Sequence, residues 1–370
     1  MLRTMTLGLV LCWCSGGSIA SAELPNIVVI LADDLGWSDL ACYGADLHET
    51  PHLDALAGAG ERFTQAYAPA PVCTPTRASL LTGKHPARLG ITIWSEGSQQ
   101  GPTNRPLLQA DSLHDLPHSE STLATHLRAV GYQTALVGKW HLGNADHYPE
   151  THGFDVNIGG TRWGAPQTFF WPYSGAGRFG GEFRYVPHLE FGAPGEYLTD
   201  RLTDEALRVL DHFRTTGRPF FLYLAHHAPH TPIEAKPADV DYFRQRLRPG
   251  ERHQNAHYAA MVRSLDESVG RITSYLKQHD LEDNTLVVFA SDNGGYIGTM
   301  QDTGQNTGQM IPITTNSPLR SGKGTLYEGG LRVPLIVRWP REVPACVTCN
   351  TPVVLTDLFP TLAAAAGLTL

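Results

Sequence analysis

The stretch Val72-Cys73-Thr74-Pro75-Thr76-Arg77 places a thiol where a Pro-rich loop, carrying Pro69 and Pro71, meets a predicted helix. Pro75 suits the first helical turn, where a missing N–H is no loss, and Gly83 can end the helix. The free backbone N–H groups of a helix start favour an anion and lower a thiol's pKa. One reading is a reactive Cys73 beside a bound anion, with Arg77 one turn on as a charge clamp. The other is a structural Cys at a helix cap, and the thiol and helix alone do not separate the two.

Carboxylates give the second cluster. Asp33-Asp34 follow the apolar run Asn26–Leu31, and Asp292-Asn293 follow Leu286–Ala290. Side chains adjacent on a strand point apart, but a turn can bring both to one point. Four oxygen donors, three of them formally anionic, suit a hard cation such as Ca²⁺ or Mg²⁺. Read pair by pair, they equally suit a helix cap and an Asp-Asn-Gly turn. Lys139 and His141 follow the short strand Thr134–Val137, and His230 follows Phe220–Leu224, with His226 and His227 as near neighbours.

The elements that must position these residues alternate between strand and helix. Continuous apolar strands at 26–31, 134–137, 220–224, 286–290 and 331–339 predict a mostly parallel sheet covered on both faces. Helices are predicted at 51–58, 121–130 with Gly131 closing it, 196–214 and 257–278. Residues 151–195 read as a long loop over the substrate side, and 296–320 as a mobile lid. In open α/β sheets the site lies beyond the carboxyl ends of the strands. Asp33, Asp34, Lys139, His141, His230, Asp292 and Asn293 are therefore expected to converge with Cys73.

Cys73-x-Pro75-x-Arg77 followed by Ala78-Ser79-Leu80-Leu81-Thr82-Gly83 resembles the signature of the type I sulfatases, and the likeness extends over about residues 25 to 367. Asp33-Asp34-Leu35-Gly36 is similar to the family's N-terminal metal motif, and Asp292-Asn293-Gly294 to its later one. Gly131 to Gly143 is similar to its second signature, in which the Lys and His, here Lys139 and His141, bind sulfate. His230 matches the later sulfate-binding His, and Gly322 to Gly330 the segment that brings in a second Lys, here Lys323. The resemblance implies an alkaline-phosphatase-like α/β fold and one Ca²⁺ per chain, with Mg²⁺ as the alternative. It also implies that a formylglycine-generating or equivalent enzyme recognises Pro75 and Arg77 and oxidises Cys73 to Cα-formylglycine, whose residue then joins the metal ligands.

The chemistry expected from such a site is sulfate-monoester hydrolysis. One hydroxyl of the hydrated aldehyde attacks sulfur and forms a covalent sulfate ester. Lys323 or His230 protonates the leaving oxygen, and His141 takes the second hydroxyl's proton to expel sulfate. Arg77 and Lys139 offset transition-state charge, each contributing about 2–4 kcal/mol when preorganised. The expected substrate is a sulfated polysaccharide or an aryl sulfate. Trp163, Phe169, Phe170, Trp171 and Tyr173 can stack on its sugar rings or simply pack the loop. The alternatives are a phosphomonoester or phosphonate monoester hydrolase on the same fold, and a non-catalytic glycan-binding homologue.

Composition bounds these readings. The 370 residues are 42% hydrophobic with a formal net charge of -8, which argues against nucleic-acid binding. Arg3, the apolar run Leu7–Cys14 and Ala20-Ser21-Ala22 predict a signal peptide over 1–22, too short to span a membrane. The alternative is an uncleaved anchor. The catalytic domain is then 23–370, exported to the periplasm or secreted. Cleavage leaves Cys42, Cys73, Cys346 and Cys349, and an oxidising compartment predicts a local disulfide between the last two. The resemblance further implies that a smaller C-terminal subdomain, usual in the family, is absent after Leu370.

Overall fold

The computed structural model describes residues 23–98, 104, 106–302 and 309–370. The predicted signal peptide lies outside the described residues. Among the described residues eleven strands are formed: β1 (Asn26–Ala32), β2 (Glu61–Tyr67), β3 (Gln133–Gly138), β4 (Val156–Ile158), β5 (Phe220–Ala225), β6 (Thr285–Ser291), β7 (Thr299–Gln301), β8 (Met310–Pro312), β9 (Arg332–Arg338), β10 (Val347–Cys349) and β11 (Val353–Val354). Nine of them make one sheet in the order β10-β2-β9-β6-β1-β5-β3-β4, with β11 beside β2. β1 runs parallel to β5 and β6, and β3 parallel to β4 and β5. β9 is antiparallel to both its neighbours.

The apolar strands are buried on both sides, which is why they read as unbroken hydrophobic runs. Val28 and Ile30 face a core with Leu202, Leu210, Met261 and Leu265, from the helices Leu198–Arg214 and Ala256–Gln278. Ile27, Val29 and Leu31 face a second core with Leu80, Leu81, Leu127 and Leu362, from the helices Cys73–Thr82, Leu123–Ala129 and Leu358–Ala365. The sheet is thus mostly parallel with helices on both faces, as expected. The helix predicted from 121 starts at Leu123, because the Thr122 hydroxyl accepts from Thr125 N at 3.2 Å and caps it there.

Two expectations are corrected. Cys346 and Cys349 are not bridged, and both thiols are free. Val347–Cys349 is extended against β2, and an extended run of that length separates the Cα atoms by roughly 10 Å, beyond disulfide reach. Nor is the 296–320 segment one free lid. It contains the β7–β8 hairpin, and Ile313, Thr314 and Asn316 are buried. Thr314 Oγ1 donates to Asp39 at 2.8 Å, and Asn316 pairs with Gly295 through both amide atoms at 3.0 and 2.9 Å.

Asp39 also anchors the turn after β1. Its carboxylate accepts from Gly36 N at 2.7 Å and from Tyr258 Oη at 2.6 Å. His253 bridges it to Asp46, with Nε2 3.2 Å from Asp39 and Nδ1 2.5 Å from Asp46. Both ring nitrogens face acceptors, so the ring is held as an imidazolium. Burial alone would lower the His253 pKa, but the Asp39 and Asp46 carboxylates raise it. Burial alone would raise Asp39 and Asp46, but His253 and their other donors lower both. The stability from a raised His is complete below its unfolded value of 6.5 and fades as pH climbs through the folded pKa. That from the lowered carboxylates is complete above 3.8 and fades as pH falls. His253→Asn is expected to cost about 3–5 kcal/mol near pH 5–6, and less as pH rises above neutrality. Urea denaturation across pH measures this, and a pH-independent loss would contradict the bridge.

Candidate active site

Each site residue stands at the carboxyl edge of the sheet, and backbone bonds tie the strand ends together. Asp33 N donates to Ala228 O at 3.1 Å, Lys139 N to Ala225 O at 2.7 Å, and Asp292 N to Ala32 O at 3.1 Å. Cys73 is the first residue of its helix, after extended Val72, and Gly83 closes that helix with φ 68°. The whole helix is buried, so the thiol is fixed to the scaffold rather than to a flexible loop. Burial alone would raise its pKa, but the charges of Lys139, Lys323 and His141 lower it.

The acidic cluster forms as expected. Asp33, Asp34, Asp292 and Asn293 are all buried. Asn293 Nδ2 donates to Asp34 Oδ1 at 2.8 Å, and Asp34 N to Asp292 Oδ1 at 3.3 Å. Ligand atoms of Asp33, Cys73 and Asp292 lie within 4.8 Å of one another, as do those of Asp33, Asp34 and His230. Burial, and then the Asp33 charge, push the Asp292 carboxyl up to about 6. Asp33 Oδ1 and Asn293 Oδ1 are buried with no hydrogen-bond partner. Two orphaned oxygens among crowded carboxylates fit a hard cation with oxygen ligands.

The basic residues divide into two sets. Arg77 and Lys139 stand behind the carboxylates. Arg77 Nε and Nη2 reach Asp292 Oδ2 at 2.9 and 2.8 Å, and Nη1 donates to Lys139 O at 3.1 Å. Lys139 Nζ donates to Asp33 Oδ2 at 2.6 Å. His141, His230 and Lys323 instead line, with Asp34 and Cys73, a cavity of about 560 Å³. Lys323 Nζ donates to Asp34 Oδ2 at 2.8 Å and lies 3.0 Å from His230 Nε2. His230 Nδ1 donates to Thr231 O at 2.6 Å, which leaves Nε2 as the acceptor from Lys323. Burial, and then the Lys323 charge, push His230 down to about 3. Burial alone would lower Lys323, but Asp34 raises it. Lys323 therefore carries the proton of this pair. His226 is bonded to Ser268 at 2.8 Å and His227 is buried, so neither lines the cavity as His230 does.

Lys323 reaches the cavity through close backbone packing. Its N–H donates to Gly295 O at 3.1 Å, Gly324 N to Pro71 O at 2.8 Å, and Gly294 N to Gly330 O at 3.0 Å. A methyl group on Gly294, Gly322, Gly329 or Gly330 would collide with a backbone oxygen of this same assembly.

Sequence reasoning missed the cavity wall. Trp94, Glu96, Phe179, Arg184 and Tyr296 line it, and none lies in a periodic segment or a motif. Of the aromatic residues expected to meet sugars, Phe169 and Tyr173 are fully buried in the core, and Phe170 and Trp171 pack against it. Trp163 stacks edge-on with Tyr185. The packing alternative therefore holds for Phe169, Phe170, Trp171 and Tyr173, while Trp163 also lines an adjoining cavity, and Phe179 and Arg184 of the same loop reach the main one. Among the described residues no helix is long and apolar enough to cross a membrane.

Residues 25–368 match the sequence model of the Sulfatase family. The chain is 34% identical over 368 residues to N-acetylgalactosamine-6-sulfatase of Sus scrofa, covering 95% of this chain and 64% of that protein. It is 33% identical over 373 residues to arylsulfatase G of Mus musculus, covering 94% and 66%. The chain thus spans about 64% of the length of the first of these curated relatives. The solved structure of Ps i-CgsB in complex with k-i-k-neocarrahexaose superimposes with a TM-score of 0.76 at 33% identity, covering 94% of this chain and 73% of that one. That of phosphonate monoester hydrolase of Agrobacterium radiobacter does so with a TM-score of 0.62 at 21% identity, covering 93% and 74%, a likeness of fold alone.

Proposed function

The chain belongs to the sulfatase family, with its alkaline-phosphatase-like fold, and from that premise we propose that it hydrolyses sulfate monoesters of carbohydrates. Residue 73 is the nucleophile after oxidation to Cα-formylglycine by a maturation enzyme. Asp33, Asp34, Asp292 and Asn293 hold one divalent cation, Ca²⁺ or alternatively Mg²⁺, and residue 73 adjoins it. The observation that carries this reading is a single one. Cys73 at a buried helix start, Asp34, and Lys323 with His230 line one cavity, and Asp33, Asp292 and Asn293 are gathered against Cys73 and Asp34 behind it.

When bound, the cation offsets negative charge on the sulfate and on the attacking oxygen. The hydrated aldehyde supplies two hydroxyls, one to attack sulfur and one whose deprotonation releases sulfate. The remaining work falls to side chains of this chain. Lys323 holds its proton beside Asp34 and gives it to the leaving alcohol oxygen, with neutral His230 fixing the ammonium from the side. His141 lines the same cavity with Nδ1 buried and unpartnered, and it accepts the second hydroxyl's proton. Arg77 and Lys139 hold Asp292 and Asp33 in place and offset their charge.

A carbohydrate is supported by the exposed faces of Trp94 and Phe179 at the cavity. It is supported too by an adjoining cavity of about 500 Å³ that shares Glu96, Phe179 and Arg184. One relative is named N-acetylgalactosamine-6-sulfatase and one solved structure holds k-i-k-neocarrahexaose. Export behind the 1–22 signal belongs to the same proposal, as does a single catalytic domain over 23–370. The test is to assay protein co-produced with a formylglycine-generating enzyme against aryl sulfate, sulfated oligosaccharides, and aryl phosphate and phosphonate monoesters. Sulfate release is expected to exceed phosphate release by at least about 100-fold in kcat/KM. A preference for the phosphorus esters, or no turnover of any ester, would overturn the reading.

A further inference from the structure

We propose that Glu96 is the positioning residue for His141, holding the imidazole so that Nδ1, and not Nε2, faces residue 73. This rests on the reading of residue 73 as the nucleophile. Glu96 Oε2 lies 2.7 Å from His141 Nε2. A carboxylate only accepts, so Nε2 must carry the hydrogen. In the neutral ring the lone pair is then on Nδ1, which is buried and without a hydrogen-bond partner, in a ring that lines the same cavity as Cys73.

The surroundings fix both partners. His141 has a left-handed backbone, φ 60°, a costly conformation for a residue with a side chain. Gly164 passes so close that a Cβ there would sit 2.5 Å from the His141 ring. The same glycine donates its N–H to Glu96 Oε1 at 3.1 Å, and Arg184 Nη2 stands 3.7 Å from that oxygen. Arg184 is itself held by Ala165 O and Glu182 Oε2, each at 3.2 Å, and stacks on Phe179 at 3.8 Å. Glu96 lies on the short helix Ser95–Ser98, which is tied to the nucleophile's helix by Ser95 N donating to Thr74 Oγ1 at 3.1 Å. Carboxylate, imidazole and residue 73 are thus referred to one frame. The rival role visible in the geometry is a direct contact between the part-exposed Glu96 and a substrate hydroxyl.

The experiment compares Glu96→Ala, Glu96→Met and Glu96→Gln in protein co-produced with the maturation enzyme. Steady-state kinetics on an aryl sulfate are paired with 15N spectra of histidine-labelled protein that keeps the Cys73 thiol. The Ala and Met variants are expected to lower kcat about 10- to 100-fold with KM within about threefold. Glu96→Gln keeps an acceptor oxygen and is expected to recover most of that loss. In spectra taken at a pH where the ring is neutral, His141 is a single Nε2–H tautomer in wild type and in Glu96→Gln, and a mixture in Ala and Met. A rise in KM at constant kcat assigns Glu96 to the substrate and overturns the proposal. So does a single unchanged tautomer in the Ala and Met variants, or an equal loss in all three. If wild type releases no sulfate from any ester, the proposed function fails, while the tautomer spectra still decide the role of Glu96.

Discussion

Replacing Cys73 by Ala is expected to lower sulfate release by at least about 10⁴-fold, with stability changed by only about 1 kcal/mol. The asymmetry follows from placement. The thiol is at the first position of a fully buried helix, whose fold depends on its apolar contacts and on the Gly83 cap rather than on the sulfur. The side chain faces the cavity that holds Lys323, His141 and His230, so truncation removes the attacking group from a site otherwise intact. Mass spectrometry of the peptide spanning residue 73 gives the companion result, an aldehyde in wild-type protein in place of the thiol. Protein with an intact thiol at 73 that turns over at the full rate would refute the nucleophile assignment.

The second large effect concerns the cation. Asp33→Asn and Asp292→Asn are each expected to weaken binding of Ca²⁺ by at least about 100-fold and to lose activity in parallel. Chelation should silence wild type, and Ca²⁺ should restore it. Asn is the choice at 33 because alanine would strand the buried Lys139 ammonium, and at 292 for a parallel reason. Alanine there would strand the buried Arg77 guanidinium, which spends two nitrogens on that carboxylate, and breaking a buried pair costs about 3–5 kcal/mol. Elemental analysis and calorimetric titration are the measurements. Stoichiometric metal retained by both variants would end the assignment.

The strands that carry the site were legible because each is buried on two faces and therefore written in one alphabet. Val28-Val29-Ile30 can hardly be anything else once Asp33 follows. β2 was not legible. Glu61-Arg62-Phe63-Thr64-Gln65-Ala66-Tyr67 is mostly half-buried, and its identity comes from partners such as β9 that lie far away in sequence. The motif residues at strand ends could be read for the same reason as the strands, since topology alone sends them to one edge. Glu96 and Arg184 could not. Their meaning is a pair of contacts across 88 residues of chain with no period, and a carboxylate and a guanidinium on loops ordinarily signify solvent. Cys346 and Cys349 misled because spacing suggested a pair, while strand pairing with β2 keeps that backbone extended.

The glycine-packed junction around Lys323 has a consequence for how such a protein can change. Backbone oxygen meets backbone carbon there at four points with no side chain between them. Repacking, the usual route by which a fold absorbs substitutions, has nothing to work with at that junction. The loop bearing Asp292 and Asn293 and the loop bearing Lys323 must then move as one body or not at all. A variant library should find this half of the cavity nearly immutable, even under weak selection for hydrolysis. New substrate preferences should instead accumulate on the wall formed by Trp94, Phe179 and Tyr296, where side chains rather than backbone set the shape.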